Sequence, residues 1–103
     1  MSVKILNDNN FHSFKDEKKI ALVDFYADWC GPCRKVAPLI HEIADEHPEY
    51  AIGKINVDYA PNLSQEFGIV SIPTLIALKD GDEAGRVVGF RSKESILAML
   101  SDL

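Results

Sequence analysis

The segment Ile20-Ala21-Leu22-Val23-Asp24-Phe25-Tyr26-Ala27-Asp28-Trp29-Cys30-Gly31-Pro32-Cys33 changes its period halfway along. From Ile20 to Ala27 it is a near-continuous apolar run, broken only by Asp24. A short run of that kind suits a central strand covered on both faces. From Cys30 to His47 the apolar residues Val36, Leu39, Ile40, Ile43 and Ala44 recur at helical spacing. Pro38 falls inside that pattern and is expected to kink the helix. Between the two elements sits a Cys-x-x-Cys pair.

That pair carries chemistry. Cys30 falls at the start of the predicted helix, where unpaired backbone N–H groups and the helix dipole favour a thiolate. Cys33 lies three residues on, so both side chains share a face. Two Cβ atoms at that spacing in a regular helix are about 5–6 Å apart, whereas a disulfide wants roughly 3.5–4.5 Å. The gap closes if Cys30 is the extended cap residue. Pro32 is accepted in the first turn, where its missing N–H costs nothing, and stiffens the loop. Cys30, at the exposed end, is then expected to attack, and Cys33 to resolve the mixed disulfide. Zinc would need about four ligands, and beyond the two cysteines the chain offers only His12, His41 and His47, without ligand spacing. A purely structural bridge would close a tiny loop and stabilise little.

Outward from this segment the elements are short. Val3 to Leu6 reads as a strand, and Asn7 or Asp8 as the cap of a helix carrying Phe11 and Phe14. Ala51 to Val57 reads as a strand, and Asn62 to Phe67 as a short helix led by Pro61. Thr74 to Lys79 and Glu83 to Val88 flank Asp80-Gly81, a strong hairpin signal. Ser92 is the expected cap of a last helix ending near Leu100. Strands alternate with helices first and a hairpin comes last. That order predicts an α/β sandwich of three layers, a central mixed β-sheet flanked by helices.

The length of 103 residues suits a single domain over 1–103. Hydrophobic residues make up 47% and charged residues 26%, an ordinary soluble composition. The net charge of −5, without a basic block, argues against nucleic acid or an anionic membrane as partner. Asp24 and Lys79 interrupt the longest apolar stretches, so no membrane span is expected. The N-terminus lacks a long apolar region and a cleavage signature, which predicts a cytoplasmic address. In a reducing compartment a close cysteine pair is more often catalytic than structural.

Val23-Asp24-Phe25-Tyr26-Ala27, Trp29-Cys30-Gly31-Pro32-Cys33 and Ala37-Pro38 occur in order, followed by Lys54-Ile55-Asn56-Val57-Asp58, Ile72-Pro73-Thr74, Lys79-Asp80-Gly81 and Val88-Gly89. Over nearly its whole length the chain thereby resembles the thioredoxin family. The resemblance implies that fold and an activity, reduction of disulfides in target proteins. It also implies re-reduction by a thioredoxin reductase that draws on NADPH, with no cofactor or metal bound by the chain itself, which is expected to act as a monomer. Asp24 matches the family's buried aspartate near the resolving cysteine. A buried carboxylate rises in pKa toward neutrality, as a proton shuttle requires; the alternative is an exposed strand carboxylate. Lys54 is similar to the lysine beside that aspartate, against the alternative of a solvated strand lysine.

Pro73 matches the family's cis-proline facing the cysteines. Ile72 would then offer backbone groups to an extended substrate. The resemblance also implies that Gly31 and Pro32, between the cysteines, belong to that substrate surface. Gly89 resembles a glycine near that groove, where close backbone approach would favour it, or is a plain strand-end glycine. Trp29 reads as an anchor for partner chains, or as a core tryptophan. Tyr26 stands where a second tryptophan is frequent in the family, and Phe90 where a small residue is frequent. Two rivals remain: a disulfide-forming oxidant or isomerase, which usually carries a histidine between the cysteines, and a binding module for which redox chemistry is secondary.

Overall fold

A computed structural model describes residues 3–103. Five strands form one mixed sheet in the order β1-β3-β2-β4-β5. They are β1 (Val3–Leu6), β2 (Ile20–Tyr26), β3 (Ala51–Asn56), β4 (Thr74–Lys79) and β5 (Asp82–Val88). β1 and β2 both run parallel to β3, while β4 is antiparallel to β2 and to β5. The helices are α1 (Phe11–Phe14), α2 (Gly31–Glu46), α3 (Pro61–Glu66) and α4 (Lys93–Ser101). The expected three-layer α/β sandwich is the observed architecture.

Strand β2 is the central one, with five consecutive buried residues from Ala21 to Phe25. Its side chains alternate between the two faces. Ala21, Val23 and Phe25 pack with Phe11, Phe14 and Leu63 on the side of α1 and α3. Leu22 packs with Ile52, Leu75, Val36, Ile40 and Ile96 on the side of α2 and α4. A fully buried side chain of this class contributes about 1.5–3 kcal/mol relative to an exposed one. Asp24 has the parity of Leu22. The pleat therefore turns the carboxyl toward the layer that begins with the cysteines.

Several boundaries moved from their expected places, each for a visible reason. α1 begins after Asn10, not after Asn7 or Asp8. The Asn7 carboxamide instead accepts the N–H groups of Asn9 and Asn10, an Asx turn that competes with helix. Asp8 Oδ1 accepts the Leu63 N–H at 3.1 Å and so serves α3, far along the chain. β3 ends at Asn56, because its carboxamide accepts the Asp58 N–H and caps a 3₁₀ turn over Val57–Tyr59. α2 runs on past Pro38 to Glu46. His47 N–H still reaches Ile43 O at 2.8 Å, and Pro48 then stops the helix. Ser92 caps α4 through its hydroxyl, which accepts the Ser95 N–H. Asp80 and Gly81 both take positive φ, 53° and 87°, the pair that a two-residue hairpin turn demands.

Candidate functional site

Cys30 and Cys33 are joined in a disulfide with Cα atoms 5.3 Å apart. Cys30 is the cap residue of α2, with extended backbone angles of φ −89° and ψ 115°. That conformation lets its sulfur swing back toward Cys33. The Cys33 N–H points at Cys30 Sγ, 3.2 Å away. In the reduced protein this N–H and the free amide groups of the first turn face whatever charge the Cys30 sulfur carries. Pro32 occupies the first turn, where no donor is lost.

Both sulfur-bearing residues are buried, and Tyr26, Val57 and Ile72 pack around them with Ala27. The carbonyl oxygen of Ile72 lies 3.8 Å from Cys30 Sγ. The Ile72–Pro73 peptide bond is cis. Gly89 holds this loop from the other side, its N–H donating to Pro73 O at 2.8 Å. Gly89 sits at φ +90°, a conformation other residues rarely adopt. Ile72, Pro73 and Gly89 are thus brought to the disulfide by the ends of β4 and β5.

Trp29 is 69% exposed, so it is a surface ring and not a core one. Its indole N–H donates to Asp58 Oδ2 at 3.0 Å. Tyr59, Val70, Val88 and Phe90 are further exposed apolar residues, all on segments next to Trp29, Ile72 or Gly89. Between the sulfurs, in the first turn of α2, Gly31 is half-buried and Pro32 is exposed. On its other side Cys33 borders an apolar hollow of about 210 Å³ shared with Tyr26, Ala37 and Arg34.

Asp24 is buried at 3% exposure, and its Oδ1 has no hydrogen-bond partner among the described residues. Burial pushes its carboxyl up to about 7, against partial opposition from the Lys54 ammonium. Lys54 is its register neighbour on β3. The Lys54 Nζ lies 5.5 Å from the centroid of the Tyr26 ring. Among the described residues no cluster of three or more His, Cys, Asp or Glu forms a metal site. No described helix is long and apolar enough to cross a membrane.

Sequence reasoning missed the Asp58 partner of Trp29, the unpartnered Asp24 oxygen and the ring under Lys54. None had a signal of its own in the sequence; the Asn56–Asp58 spacing marks a turn but not the tryptophan it meets.

The Thioredoxin family model matches residues 2–102. A thioredoxin of Chlamydia pneumoniae is 44% identical over 99 residues, covering 96% of both chains. One of Alicyclobacillus acidocaldarius is 43% identical, covering 95% of this chain and 94% of its own. Among solved structures, a mutant thioredoxin from Halobacterium salinarum superposes with a TM-score of 0.92 at 28% identity, covering 98% of this chain and 89% of its own. The Plasmodium falciparum thioredoxin gives 0.88 at 26% identity, covering 96% and 97%. With the match running nearly end to end and the cysteines bonded where the motif predicts, the chain belongs to the thioredoxin family and is a protein dithiol–disulfide oxidoreductase.

Proposed function

We propose that Cys30 is the attacking thiolate and Cys33 the resolving thiol in the reduction of disulfides in target proteins. The observation that carries this assignment is the placement of Cys30 at the cap of α2 with the Cys33 N–H directed at its sulfur. Negative charge at that sulfur is stabilised by the helix terminus, and a stabilised thiolate is the nucleophile of thiol–disulfide exchange.

Cys30 Sγ attacks one sulfur of the target disulfide, and the other leaves as a thiolate and takes a proton from water. A mixed disulfide joins Cys30 to the target. Cys33 then loses its proton to the Asp24 carboxylate and attacks Cys30 Sγ. The second target thiolate leaves, and the Cys30–Cys33 disulfide forms. Two electrons have passed from the dithiol to the target. Lys54 limits how far burial raises Asp24, and so keeps the carboxylate populated near neutral pH.

The target segment lies extended across Gly31, Pro32, Ile72, Pro73 and Gly89, with Trp29 as its apolar anchor. The Ile72 backbone pairs with the segment beside the disulfide. A thioredoxin reductase returns the electrons, drawn from NADPH, and the chain itself binds no cofactor. The protein acts as a single-domain monomer in the reducing cytoplasm, with disulfide-containing proteins as partners in place of nucleic acid or membrane. The composition and the Gly31-Pro32 dipeptide favour this reductant over an oxidant.

The test is reduction of insulin disulfides driven by NADPH and a thioredoxin reductase. Catalysis well above a small-dithiol control is expected, with complete loss in the Cys30→Ser/Cys33→Ser variant. Turnover that survives in that variant, or none in the unaltered chain, would overturn the reading.

A further inference from the structure

Asp24, Lys54 and Tyr26 form a chain of interactions that the exchange steps do not by themselves explain. Asp24 and Lys54 are register partners on β2 and β3, yet among the ion pairs of the described residues none joins them. Asp24 Oδ1 stays without a hydrogen-bond partner among the described residues. The ammonium lies instead over the ring of Tyr26, 5.5 Å from its centroid, within the range at which an aromatic face attracts a cation.

We infer that Tyr26 is a positioning residue for the Asp24 carboxyl, acting through Lys54: its ring keeps the ammonium close to the buried carboxylate but out of contact with it. A lysine ammonium is strongly hydrated and carried on a flexible stem. Without an anchor it would extend into water, and its pull on Asp24 would weaken with distance. The anchor is itself fixed. Tyr26 packs against the disulfide cluster, among Ala27, Val57 and Ile72.

The charged and titratable groups around the carboxyl are few. β3 supplies Lys54, and β2 supplies Tyr26, whose phenol also feels Asp28 just beyond the strand's end. α2 carries Cys33, which does not titrate in the disulfide, and β4 places Leu75 opposite Asp24. Moving the Lys54 ammonium is therefore the main way a neighbour can alter Asp24. The catalytic meaning rests on Asp24 accepting the Cys33 proton, but the physical test does not.

The test is a carboxyl ¹³C NMR titration of Asp24 in the oxidised protein, whose cysteines do not titrate. Tyr26→Phe keeps the ring and is expected to leave the midpoint unchanged. Tyr26→Leu and Lys54→Met are each expected to raise it, by roughly half a pH unit. Tyr26→Leu on the Lys54→Met background is expected to add nothing. A midpoint that is unchanged or lowered in Tyr26→Leu would overturn the inference. So would a rise that persists in full without Lys54, since the cause would then be burial. Should Tyr26→Leu fail to fold, the Lys54 ε-methylene protons of the unaltered protein decide. An upfield ring-current shift supports the inference, and random-coil positions refute it. Failure of Asp24 as proton acceptor would appear elsewhere, as an Asp24→Asn variant with an unaltered pH–rate profile.

Discussion

Trp29 donates its indole N–H to Asp58 while leaving its ring 69% exposed beside Cys30. One edge of the ring is fixed to the turn after β3, and the face is open for contact. Asp58→Ala should free the ring. Trp29 is the only tryptophan, so its emission and anisotropy report the change directly. Lower anisotropy is expected, with a severalfold rise in KM for protein disulfides and little change for a small-molecule disulfide. An unchanged anisotropy would show that the hydrogen bond does not restrain the ring.

Asp24 gives stability a pH dependence with a definite sign. Its folded carboxyl titrates near 7, against about 4 in an unfolded chain. Between those values the folded state holds the extra proton, so stability falls as pH rises across that window. The cost reaches about 4 kcal/mol above it. Asp24→Ala removes the cost and leaves a small cavity worth about 1 kcal/mol or more. The variant should be more stable at pH 8 by about 1–3 kcal/mol, with the gain gone by pH 4. Urea unfolding at both pH values checks this. Lower stability at pH 8 would contradict it. Turnover near pH 7 should drop about tenfold or more, as loss of a proton acceptor implies.

Gly53 is confined by packing. A Cβ there would lie 2.5 Å from Leu6 Cδ1 and 3.1 Å from Phe14 Cζ. Leu6 and Phe14 are both buried, so neither can give way freely. Gly53→Ala should cost about 1–3 kcal/mol, the usual price of overpacking a core. Chemical denaturation measures it, and turnover at 25 °C should be nearly unaffected. A variant as stable as the parent would mean that Leu6 has a second rotamer to adopt.

Much of this was open to reading in the chain because the signals were local. The apolar run of β2, the Cys-x-x-Cys spacing, Asp80-Gly81 and Ser92 each act within a few residues of themselves. What stayed hidden depends on distance along the chain. Asp8 serves α3 through Leu63, not the helix beside it. The exception is local: Asn56 ends β3 one residue early because its side chain accepts the Asp58 N–H and caps the next turn. Trp29 meets Asp58, and Lys54 meets the Tyr26 ring, only once β2 and β3 are paired. Asp24 is the intermediate case. Its burial followed from the strand pattern, but the unpartnered oxygen emerged only from the packed layers.

The central claim is the division of roles between the two cysteines, and covalent trapping tests it most directly. The reduced Cys33→Ser and Cys30→Ser variants would each be incubated with a disulfide-containing protein and read by intact mass under non-reducing conditions. The account predicts a stable mixed disulfide through Cys30 in the Cys33→Ser variant and almost none in Cys30→Ser. Trapping through Cys33, with Cys30→Ser the more reactive variant, would contradict it.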